Sequence, residues 1–286
     1  RDSFNLFQND HFGVIFDTFH DRRNGFLFYV NAIGGFFDGQ TTDERDTNRD
    51  WNTVWRSKVG EFHGGWTVEM AIPFRSLRYR PGDAQVWGIN FRRVVRSKNE
   101  TSFLTHIPAS YSRNGLLRLS RAATIVGIQP GRPGLSLEMK PYATGGVRTD
   151  VEDAIENDST RGVGFDLKYG LTRGLTFDFT YNTDFAQVED DEQRVNLTRF
   201  SLFFPEKREF FLEGQGIFTF GGVNTRGGFG FEGPSDTPIL FFSRRIGLSE
   251  EHSVPVVAGG RLTGKAGAFA VGLLQSPLGI HHPGPT

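Results

Sequence analysis

From residue 11 to about 128 the chain runs in short segments where apolar and polar positions alternate, among them FGVIFDTF, GFLFYVN, TVWRSKVGEF, GWTVEMAI and VWGINFRRVV. Gly, Asp and Asn turns separate them. Strand side chains point to opposite faces in turn, so this spacing predicts an antiparallel β-sandwich. The alternation breaks at QPGRPG, residues 129–134, where two prolines and two glycines mark a linker. Past it the alternation becomes more regular. In VGFDLKY, Val163, Phe165, Leu167 and Tyr169 share one face and Gly164, Asp166 and Lys168 the other. LTFDFTYN repeats this, with Leu175, Phe177, Phe179 and Tyr181 opposing Thr176, Asp178, Thr180 and Asn182.

These two segments predict a hairpin over residues 163–181, turning at Thr172 to Gly174. The short LTRG connection contrasts with the polar stretch GGVRTDVEDAIENDSTRG (145–162), expected to be a long loop. Short turns on one rim and long loops on the other are the habit of outer-membrane barrels. A soluble sandwich whose apolar face packs on a second sheet fits the same alternation.

Composition agrees with sheet: 29 phenylalanines and 36 glycines in 286 residues suit twisted, tightly turning strands. A net charge of −1 provides no basic field for nucleic acid. The lack of cysteine excludes a disulfide framework, a thiolate zinc site and a cysteine nucleophile. No run of eighteen apolar residues occurs, which excludes a transmembrane helix and leaves strands untouched. The chain opens at Arg1 inside a domain pattern and reads as a piece of a longer protein.

Catalytic signatures are missing. There is no G-x-S-x-G, no P-loop, no dinucleotide fingerprint and no H-E-x-x-H. The acidic run VEDDEQ (188–193) lacks the spacing of a calcium loop. Glu206, Glu209 and Glu213 have the chemistry of glycosidase carboxylates, but Lys207 and Arg208 stand beside them as ion-pair partners. No catalytic residue and no metal ligand is therefore assigned. For sugar binding the candidates are Trp51 and Trp55, in the polar stretch DTNRDWNTVW, with Asp50, Asn52 and Arg56 to bond hydroxyls. Trp66 and Trp87, in regular alternating runs, are expected in the core.

Residues 195–214, VNLTRFSLFFPEKREFFLEG, hold five phenylalanines among two arginines, a lysine and three glutamates. The segments Val195 to Phe200, Phe203 to Arg208 and Phe210 to Glu213 resemble the signature of a bacterial family in which an outer-membrane barrel of unknown function follows a family 9 carbohydrate-binding domain. DTFHDRRNGFLFYVN (17–31), DWNTVW (50–55), GWTVEMAIPFRSL (65–77) and WGINFRRVVRSKNE (87–100) are similar to the carbohydrate-binding half. FFSRRIG (241–247) and AGGRLTGKAGAFAVGLL (258–274) look like its next barrel strands.

The resemblance implies an all-β chain: a truncated carbohydrate-binding-like β-sandwich at 1–128, a linker at 129–134, and the first antiparallel strands of an outer-membrane β-barrel at 135–286. It implies non-catalytic binding of a polysaccharide or glycoconjugate at the cell outer membrane, coupled to uptake or surface assembly, with a periplasmic N-terminal domain. Outer-membrane lipid is then a partner and nucleic acid is not. No cofactor is implied; Asp17 and Asp21 would help a structural calcium of the kind such modules often hold, whereas Asp at turns usually caps backbone amides. The alternatives are a secreted glycoside hydrolase or its accessory module, and a structural outer-membrane barrel without sugar binding. The aromatic and charged segment itself is expected to complete a packed wall, in a barrel lumen or rim or along an edge strand.

Overall fold

Every strand pairing described is antiparallel, and helix is nearly absent among the described residues, an all-β fold. The computed structural model describes residues 4–44, 46–49, 51–80, 82–130, 137–150, 155–183, 206, 208–212, 214–218, 240–243, 246, 248–249, 252–253 and 256–276. The chain divides into two compact units, Arg1–Gly134 and Leu135–Thr286.

The first unit contains β1 (His11–Asp17), β2 (Gly25–Asn31), β3 (Phe36–Thr42), β4 (Asp46–Asn48), β5 (Arg56–Phe62), β6 (Gly65–Ala71), β7 (Gln85–Val95), β8 (Glu100–Phe103) and β9 (Ala123–Ile128). Its main sheet runs β4-β3-β2-β1-β7-β8, and β9 also pairs with β7. Alternation gives this sheet two greasy faces. Val14, Phe26, Phe28, Val30 and Trp87 meet Trp51, Trp55, Leu77 and Tyr79 on one side, where Val59, Val68 and Met70 of the β5–β6 hairpin close the layer. On the other, Ile15, Leu27, Tyr29 and Phe37 are covered by Leu6 and by Leu116 and Leu119 from short 3-10 turns. The result is a sandwich in which a hairpin packs on a larger sheet.

The second unit contains β10 (Leu137–Asp150), β11 (Ile155–Gly170), β12 (Leu175–Tyr181), β13 (Leu248–Ser249), β14 (His252–Ser253), β15 (Ala258–Ala266) and β16 (Phe269–Gln275). Five of these form an up-and-down sheet, β10-β11-β12-β15-β16. The β11–β12 hairpin turns at residues 171–174 and pairs Phe165 with Tyr181, Leu167 with Phe179 and Tyr169 with Phe177, so its aromatics share one face as expected. The polar stretch 145–162 is a correction. Most of it is strand, with Gly145 paired to Arg161 and Arg148 to Asp158, so β10 and β11 reach 14 and 16 residues. Backbone pairing needs no hydrophobic alternation, which is why the polar sequence there concealed it.

Of the linker, Gln129 and Pro130 are described without regular structure, and 131–134 lie outside the described residues. No helix among the described residues is long and apolar enough to cross a membrane; strands are a separate matter.

Candidate functional site

Residues paired directly across antiparallel strands share a face, so the register of the second sheet sorts its side chains into rows. One face carries Leu137, Tyr169, Phe177, Leu262 and Leu273 in one row and Met139, Leu167 and Phe179 in the next. The opposite face carries Glu138, Lys168, Asp178 and Arg261, whose signs alternate across four adjacent strands, beside Lys140, Asp166 and Thr180. Burial is inverted relative to polarity. Met139 is 63% and Val163 71% exposed, whereas Arg261 is 2% and Asp178 4% exposed. A sheet in water hides its apolar face; over β12 and β15 this one hides its polar face, while Glu138 and Lys140 on β10 stay exposed.

The covering of that face comes from the aromatic and charged segment. Its described part holds a short helix, α1 (Glu209–Leu212), and a 3-10 turn, Gln215–Phe218, follows the segment directly. The Phe210 ring lies against Gly259, where an added Cβ would fall 3.0 Å from it, and the Arg261 guanidinium sits 5.4 Å from the ring centroid. Gly214 abuts Thr263, and Ile217 and Phe218 abut Gly272. Gly259, Thr263 and Gly272 all lie on the polar face, opposite Thr180, Thr176 and Thr263 respectively. The segment therefore folds onto the sheet from the charged side.

A buried ion pair holds it in shape. Arg208 Nε and Nη2 donate to Glu206 Oε1 and Oε2 at 2.9 and 2.8 Å, a two-pronged bond. Arg208 also donates to the carbonyls of Ile246 and Ser243 at 2.7 and 2.8 Å, the Ser243 hydroxyl donates to Glu206, and the guanidinium covers the Phe211 ring at 4.3 Å. Both partners are almost wholly buried, so the fork and its carbonyls compensate a desolvation that would otherwise be costly. Arg261 donates Nη2 to Asp178 at 2.9 Å, while its Nε and Nη1 have no hydrogen-bond partner. Beside Phe210 the polar face keeps a shallow concavity, lined in part by Glu138, Lys140, Asp166, Lys168 and Asp178.

The sugar candidates end elsewhere. Trp51 and Trp55 are 5% and 6% exposed and belong to the core, with Phe26 5.1 Å from the Trp51 ring and Phe28 and Phe36 each 5.1 Å from the Trp55 ring. This corrects the expectation of an open indole. The polar residues around them form an irregular stretch that folds both rings inward, because covering the Phe26 and Phe28 face outweighs the polarity of their neighbours in sequence. Asn52 and Arg56 are exposed, and Asp50 lies outside the described residues. Trp87 is core, as expected, and its Nε1 donates to Gln85. Trp66 is only half-buried, on the β5–β6 hairpin.

The two aspartates of the first turn cap backbone amides. Asp17 accepts from the amides of Asp21 and Arg22 at 3.0 and 2.7 Å, and Asp21 from those of Arg23 and Asn24. Burial pushes the Asp17 carboxyl up, against the pull of those amides. Among the described residues no three His, Asp or Glu side chains gather as a metal ion would need. Lys207, Glu213, 188–193 and His281 and His282 lie outside the described residues, as do Val195 to Phe200 and Phe203 with Phe204.

Arg261, Asp178 and Ser243 were not singled out by sequence. The signal was present in DFT and GRLTG, but it needed the pairing of β12 with β15, whose charged partners are 83 positions apart.

Residues 133–259 match a known protein family described as a domain of unknown function (DUF5916). That description mentions neither a carbohydrate-binding module nor a barrel. No curated protein and no solved structure matches the chain.

Proposed function

We propose that the second unit is part of the wall of an outer-membrane β-barrel, with its apolar face toward lipid and its charged face toward a polar interior. The observation that carries this reading is the inverted burial of β12 and β15 in the five-stranded sheet, the kind of arrangement a transmembrane barrel has. The lengths of β10 and β11 are ample for strands that need about 9–11 residues to cross the hydrocarbon layer. The first unit is then a periplasmic sandwich carried by the barrel, and the protein handles a polar solute or glycoconjugate without catalysis.

Between glycan binding and a purely structural sandwich, the burial of Trp51 and Trp55 favours the structural one. Glycan binding by this unit would use a surface other than those indoles, and a glycan array on the full-length protein tests for it.

Spin labels placed singly along β12 of the full-length protein in liposomes test the barrel. Labels at Leu175, Phe177 and Phe179 should be reached by oxygen dissolved in lipid, and those at Thr176 and Thr180 should not. Equal access of a water-soluble relaxant to both sets refutes the membrane assignment and returns the sheet to a soluble sandwich.

A further inference from the structure

The end of the aromatic and charged segment, with the 3-10 turn that follows it, does more than fill space on one strand. It touches the polar face at three separated places: Phe210 on Gly259, Gly214 on Thr263, and Ile217 with Phe218 on Gly272. Those three wall residues belong to β15 and β16. Each contact relies on a small residue; at Gly259 a Cβ would press on both the Phe210 ring and Thr180. The segment also keeps its own shape through the buried fork of Glu206 and Arg208 and through Ser243 and Ile246. Wall and segment are thus fitted to each other, with the shape-holding ion pair on the segment's side.

We propose that the described residues 206, 208–212 and 214–218 belong to an internal plug that narrows the lumen of the barrel, seated on β15 and β16 and held in form by the Glu206–Arg208 pair. The proposal rests on the barrel reading above. A polar-lined barrel of more than a few strands leaves an aqueous bore unless something fills it. Here the filler comes from the chain between two neighbouring strands, β12 and β15. What remains open beside it is the concavity lined by Glu138, Lys140, Asp166, Lys168 and Asp178, which would be the residual passage for water and small ions.

The test uses the full-length protein reconstituted in planar bilayers and liposomes. Gly214→Cys with Thr263→Cys joins plug to wall: a Cβ at 214, on left-handed backbone, falls 3.1 Å from the Thr263 Cβ, so the two must part by a few tenths of an ångström to reach the roughly 3.5–4.5 Å of a disulfide, and residues 1–286 hold no cysteine to compete. Oxidation should cross-link this pair in the inserted protein and leave single-channel conductance at its wild-type low value. Two variants should unseat the plug from opposite sides, Gly259→Leu by crowding Phe210 and Arg208→Gln by breaking the fork. Each should raise conductance several-fold. Spin-label accessibility along β12 shows whether each variant still inserts, and a variant that does not insert is replaced by Phe210→Ala. An inserted protein whose 214–263 pair does not cross-link, or whose conductance is indifferent to every unseating variant, overturns the plug and leaves the barrel standing. Failure of the wild-type protein to insert overturns both.

Discussion

Replacing Trp55 by alanine separates a core indole from a sugar platform. The ring meets Phe28 and Phe36 edge-on and is 6% exposed. Removing about 150–250 Å² of buried aromatic surface at about 25 cal/mol per Å² forfeits about 4–6 kcal/mol. Partial collapse of the site brings the expected loss to about 3–5 kcal/mol. The indole Nε1 has no hydrogen-bond partner, and such an orphan costs about 1–3 kcal/mol. Trp55→Phe removes it along with one ring, so that change should cost less than about 1.5 kcal/mol. All four tryptophans lie in the first unit, so their fluorescence follows that unit within the intact chain. With a urea slope of about 1–3 kcal/mol per M, Trp55→Ala should lower the midpoint by on the order of 2 M, and Trp55→Phe by far less. An unchanged midpoint in Trp55→Ala would show that burial has been misjudged and would restore the indole as a ligand surface.

Two further outcomes follow from buried charge. His11 is fully buried, with Nδ1 at 2.8 Å from the Asn9 carbonyl and Nε2 unpaired; burial, with Arg92 and Arg96 nearby, holds its pKa below the ordinary 6.5. Below about 6.5 the unfolded chain then binds more protons than the folded one, so the first unit should lose stability as pH falls, by up to about 1.4 kcal/mol per pH unit. The urea midpoint should drop between pH 7 and 5.5, and less so in His11→Phe; parallel curves would refute this. In the second unit, Asp178→Ala leaves Arg261 charged and buried without its partner, a change expected to cost about 3–5 kcal/mol. Asp178→Leu combined with Arg261→Met should recover most of the lost thermal stability, read as loss of sheet circular dichroism in detergent. A double variant as weak as the single one would show that the pair does not act as a pair.

What sequence made legible was whatever depends on near neighbours. The β11–β12 hairpin and its aromatic face follow from period-two alternation over one short turn, and the fork partner of Glu206 was visible two residues away as Arg208. Features set by distant pairing were not legible. Trp51 and Trp55 sit in a polar stretch, and only the greasy face of β2, folded back over them, decides that they turn inward. The strand ends at 145–150 and 155–162 are polar because backbone pairing alone sustains them. Asp178 looked like one more polar residue on an open face until β15 placed Arg261 opposite it.

That late pairing also orders the folding of the sheet. Strands β10 to β12 and the β15–β16 hairpin can each form from local contacts, but β12 finds β15 only after a long excursion of chain has been gathered. Until then β12 is a bare edge, the kind of surface on which other chains stack. Asp178 stands in the middle of that edge, and a charged carboxylate there discourages a stranger from pairing. Its proper neighbour brings Arg261. The residue that guards the growing sheet against aggregation is thus the same one that welds it when the right strand arrives.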